Sequence, residues 1–75
     1  MLTEREKGFV LNGIRSYLRL AQIDAGQSPD QADEYVDGLA EMLEISPQVM
    51  RTTDGERQHL LELICKYTGV KITGP

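Results

Sequence analysis

The two side chains with the most reactive chemistry are His59 and Cys65, each the only one of its type among the 75 residues. A thiolate beside an imidazole makes an activated nucleophile, and the same pair supplies two ligands to a transition metal. On a helix of about 3.6 residues per turn, however, six positions put the two groups on different sides. His59 is therefore expected as an ordinary surface or boundary residue, and Cys65 as a small hydrophobe at the edge of the core. General acid–base work needs two titratable groups pushed apart in pKa within a pocket, and a chain this short has little room for one. The expectation is a protein that is not an enzyme, with no catalytic residue, no metal and no cofactor.

Charge offers binding chemistry instead. Arg15 and Arg19 lie four apart and share a strip with Arg5, and their guanidinium forks suit phosphates or carboxylates. Residues 28 to 45 hold six acids, Asp30, Asp33, Glu34, Asp37, Glu41 and Glu44, and no base. The net charge of -4 arises from this segment, and it disfavours nucleic acid as a general partner because that binding rests on phosphate neutralisation. Two readings stay open for each cluster. The acidic row is a solubilising face, or it is held ready for a partner with a basic surface that would relieve its i, i+3 and i+4 repulsion. The arginines clamp a partner, or they pair with the acidic flank across a helical hairpin.

The elements that position these groups are helices. Three Ser or Thr residues are each followed three positions later by Glu or Gln, in the pattern of a capping box: Thr3 with Glu6, Ser28 with Gln31 and Thr53 with Glu56. Pro29 suits a first helical position, and Ser46-Pro47 repeats that device. Glycines at 26 and 69 stand where a left-handed terminator is wanted. The spacing predicts helices over about 3 to 24, 29 to 44 and 54 to 68, with a short extra turn at 47 to 51 and an extended tail at 70 to 75 whose Val70 folds onto the core. The fold class is thus all-α, a small three-helix bundle forming one domain over residues 1 to 75.

Helical periodicity assigns the faces. Ala32, Tyr35, Val36, Leu39, Met42 and Leu43 share one side of the second helix, opposite the carboxylates; Leu60, Leu61, Leu63, Ile64, Tyr67 and Val70 share a broad side of the third. The first helix is apolar over more than half its circumference through Phe9, Val10, Leu11, Ile14, Tyr17, Leu18, Leu20 and Ala21. Its remaining strip holds Arg5, Asn12, Arg15, Ser16 and Arg19. A helix apolar on more than one stripe must bury more than one side. Phe9 and Leu20 at one edge, and Leu11 and Leu18 at the other, are expected to need cover beyond the intrachain core.

The run Leu39-Ala40-Glu41-Met42-Leu43-Glu44-Ile45-Ser46-Pro47-Gln48-Val49-Met50-Arg51 resembles the helix-turn-helix of the phage-repressor class. Ala40 matches the alanine of its first motif helix, Ser46 the serine ending its turn, and residues 48 to 51 its short recognition helix. The resemblance implies a DNA-binding protein in which Gln48, Arg51 and Thr52 meet base edges or phosphates. Glu44 stands where that family usually has glycine, and the first motif helix is the most acidic part of the chain, so the phosphates it would cross are repelled.

One cysteine excludes an intrachain disulfide and fits a reducing compartment. The mixed charge of residues 1 to 7 is unlike a secretory leader, and no run reaches the roughly 18 apolar residues of a membrane span. The reading is a cytoplasmic regulatory or adaptor protein that binds another protein. Its contact residues are expected to be Phe9, Leu11, Arg15, Arg19 and Leu20 on helix 1, and Asp33, Asp37, Glu41 and Glu44 on helix 2. Homodimerisation through helix 1 is the other expected contact, and DNA binding through residues 39 to 52 is the alternative function.

Overall fold

Thr3 opens the first helix in the way its spacing predicts. In a computed structural model that describes residues 1–69, its hydroxyl accepts from the Glu6 amide at 3.1 Å while its own amide donates to Glu6 Oε1 at 3.0 Å. That backbone bond, and secondly the hydroxyl, hold the Glu6 carboxyl below its ordinary value of 4.5. The box is complete above about pH 4.5 and is lost as pH falls through the lowered value. Helix α1 runs Glu4–Asp24, α2 Asp30–Met42 and α3 Pro47–Thr68, in an all-α three-helix bundle. The tail expected at 70 to 75, with Val70 on the core, lies outside the described residues.

The termini differ from expectation in three places. Pro29 is the N-cap of α2 and not its first residue; Ser28 Oγ accepts from the Asp30 amide at 3.3 Å, and Gln31 Oε1 instead meets Gln22 Nε2. At the other end α2 stops at Met42, two residues short of the expected end. There is also no separate turn at 47 to 51. Ser46 caps the Val49 amide at 3.2 Å, Pro47 takes the first position, and one helix continues to Thr68. Thr53, expected as a cap, is fully buried in mid-helix with its hydroxyl turned back onto Val49 O at 2.8 Å.

Helices α1 and α2 end in the same Schellman geometry. Gly26 N donates to Ile23 O and Gln27 N to Gln22 O after α1; Glu44 N donates to Glu41 O and Ile45 N to Ala40 O after α2. The left-handed residue is Gly26 at φ 77° in the first and Glu44 at φ 58° in the second. A side chain there costs about 1 kcal/mol relative to glycine. Glu44→Gly is accordingly expected to raise stability by roughly 0.5–1 kcal/mol, read as a higher urea midpoint at unchanged slope; a lower midpoint would contradict the strain.

Helix α1 is the common partner, packed along both neighbours, whereas α2 and α3 scarcely touch beyond their tight turn. The core gathers Leu11, Val36, Ala40, Ile45 and Met50, with Leu18, Leu39 and Val49 partly buried against it. Where α3 crosses α1, Gly8 leaves no room for a side chain: a Cβ there would lie 2.9 Å from Thr53 Oγ1 and 3.2 Å from Val49 Cγ1. One turn on, buried Asn12 donates through Nδ2 to Met50 O at 2.9 Å and to Thr53 Oγ1 at 2.8 Å. Ser46 N bonds Glu4 Oε1 at 2.9 Å, and Arg5 pairs with Glu56. These contacts fix α3 on α1 between Ser46 and Glu56.

Candidate functional site

Helix α1 is turned opposite to what its composition suggests. Of the polar strip, Asn12, Arg15, Ser16 and Arg19 are wholly or partly buried against the other helices, together with Gly8, Leu11 and Leu18, while Arg5 stays exposed. Its apolar majority faces outward: Val10, Ile14, Tyr17, Leu20 and Ile23 are all exposed. The reason is polar satisfaction. Asn12 finds two acceptors on α3, and the guanidinium groups find carboxylates on α2, so a face that is costly to bury unpaired becomes the seam of the bundle.

That seam resolves the choice left open for the arginines. Arg15 Nη2 bonds Asp37 Oδ1 at 2.8 Å and its Nη1 lies 3.6 Å from Asp33 Oδ1, while Arg19 pairs with Asp33 Oδ2. The side chains of Arg15, Arg19 and Asp33 are about a quarter to a third exposed and that of Asp37 is 65% exposed, so the bridges contribute little, on the order of 1 kcal/mol or less each. Two of the six acids of residues 28 to 45 are thereby committed within the chain. Among the described residues Asp30, Glu34, Glu41 and Glu44 are exposed and form no ion pair.

Of the other contact residues expected on α1, Leu11 is a core residue at 6% exposure and its side chain is closed to any partner in this fold; Phe9 is half-buried and Leu20 exposed. The apolar surface continues on α3. Beyond Glu56 the face that packs on α1 runs on without cover: Leu60, Leu63, Ile64 and Tyr67 are exposed, Tyr67 at 82%. Val10, Ile14 and Tyr17 on α1, and Leu60, Ile64 and Tyr67 on α3, are the residues the contact reading did not single out. Their common signal is legible in hindsight, two aliphatics and a tyrosine at i, i+4 and i+7 in each helix.

A tight turn joins α2 to α3 within the segment that resembles the helix-turn-helix. Ala40 is buried, Glu44 adopts the left-handed conformation usually given to glycine, Ser46 caps the second helix, and Gln48, Arg51 and Thr52 are exposed on its first turns. Beside them an open groove of about 640 Å³ lies where the three helices meet. Its walls carry Arg15 and Arg51 but also Asp37, Glu41 and Asp54, a mixed lining with an acidic excess that opposes a phosphate backbone. His59 is exposed and Cys65 half-buried on the third helix. No helix among the described residues is long and apolar enough to cross a membrane. No protein-family model, curated protein or solved structure matches this chain.

Proposed function

We propose that this chain is a small regulatory or adaptor protein that acts by binding another protein through the outward apolar surface of α1 and the uncovered end of α3. The observation that carries this reading is the inversion of α1: it spends its polar strip on the bundle and leaves Val10, Ile14, Tyr17 and Leu20 in water. Isolated exposed hydrophobics need no explanation, but a row of them at i, i+4 and i+7 along one helix is an apolar stripe of the kind that marks an interaction surface. The free carboxylates of α2, Glu34, Glu41 and Glu44, lie on another side of the molecule and add steering toward a basic rim.

The test compares surface variants in binding assays. Tyr17→Glu and Ile64→Glu are expected to weaken protein partners by at least about thirtyfold, the loss of one strong anchor, whereas reversing Glu34, Glu41 and Glu44 to lysine slows association and leaves most of the affinity. Full retention of every partner by both apolar variants would reject the reading.

A second reading, a divergent helix-turn-helix DNA-binding protein, is favoured by the turn at Glu44 and the exposed Gln48, Arg51 and Thr52. It requires duplex binding at low salt that falls steeply as salt rises and that weakens in Arg51→Ala. Failure to retain any member of a random duplex pool at low salt removes it.

A further inference from the structure

The two uncovered stripes match each other. Val10, Ile14 and Tyr17 on α1, and Leu60, Ile64 and Tyr67 on α3, each present two aliphatic side chains and a tyrosine over seven residues, about 10 Å of helix. Neither triplet contains a charge. The acidic α2 is docked on the Arg15 and Arg19 side of α1, away from the Val10 to Tyr17 stripe, so a contact made through that stripe holds two acidic helices apart. With about 150–250 Å² in a tyrosine and less in the aliphatics, the exposed parts of the six side chains come to roughly 600–700 Å². A standard interface takes about 800 Å² from each partner.

We infer that the occupant of this surface is a second copy of the chain. The two copies pair about a twofold axis, with the Leu60, Ile64 and Tyr67 end of each α3 laid across the Val10, Ile14 and Tyr17 face of the partner's α1. The arrangement rests on the proposed role of the apolar surface, and it names the partner. Twofold closure uses both stripes of both copies at once, where one foreign helix would cover a single stripe and leave the other in water. It also buries apolar side chains that the intrachain core leaves exposed.

The experiment is sedimentation equilibrium of the full chain over a roughly hundredfold range of concentration, because dimerisation follows mass action. Wild type is expected to move from the 8.4 kDa monomer to twice that mass as concentration rises. Tyr17→Lys and Tyr67→Glu alter exposed side chains, so circular dichroism stays native while each weakens the dimer by at least about thirtyfold. Mixing the two variants restores a dimer: one half of the contact is then unmodified, and in the other the new ammonium faces the new carboxylate. A wild type that stays monomeric overturns the pairing, as does a dimer unmoved by both variants or one that mixing fails to restore. A monomer whose Tyr17→Lys variant loses a different protein would sink the pairing and leave the binding role standing.

Discussion

Gly8→Leu is expected to destabilise the protein by about 3 kcal/mol or more, a large part of the roughly 4–11 kcal/mol available to a domain of this length. Even the first carbon of the new side chain would sit 2.9 Å from Thr53 Oγ1. That hydroxyl cannot swing aside, because it is buried, donates to Val49 O and accepts from Asn12. The helix itself would favour any residue over glycine by up to about 1 kcal/mol, so propensity and packing oppose each other. Overpacking a fixed contact costs about 1–3 kcal/mol and more as the side chain grows, so packing wins. Gly8→Ala should lose about 1 kcal/mol and Gly8→Leu several times that. At about 4–8 °C per kcal/mol for a domain this small, thermal melts followed by circular dichroism separate the two. A Gly8→Leu protein that melts with wild type would mean that α3 does not cross α1 at this point.

Asn12→Ala is expected to cost about 2–4 kcal/mol. Two hydrogen bonds contribute about 0.5–1.5 kcal/mol each, and the space left by a side chain at 2% exposure adds a cavity term. The useful measurement is the double-mutant cycle with Thr53→Val, which keeps the shape of Thr53 and removes its hydroxyl. If the 2.8 Å bond between Asn12 Nδ2 and Thr53 Oγ1 holds the crossing, the paired variant loses less than the two singles together, by about 0.5–3 kcal/mol. Strict additivity would show that the two residues stabilise the molecule independently.

Much of this architecture is legible in the residues because it depends on local rules. The Thr3 and Glu6 box, the terminators Gly26 and Gly69, and the apolar side of α2 through Val36 and Leu39 follow from neighbours within a turn or two. The misread places are those where a distant partner answers a local signal. Thr53 with Glu56 has the form of a helix start, but Asn12 reaches it from 41 residues away and Glu56 pairs with Arg5, so the helix runs through from Pro47. Asn12 reads as an outward polar residue until α3 supplies its acceptors. The same exchange inverts α1, and with it the location of the apolar surface. Its exposed apolar residues are visible in the sequence only as a count of hydrophobics, and the 10, 14, 17 stripe emerges once the arginine strip is known to face inward.

The uninterrupted helix from Pro47 to Thr68 is clamped over its first half in the manner of a cantilever. Ser46, Thr53 and Glu56 tie it to α1, and Thr68 lies about 18 Å beyond the last of these at 1.5 Å per residue. Any angular displacement at Glu56 grows in proportion to the distance along that arm, so the Tyr67 end is where a small change at the clamp produces its largest movement.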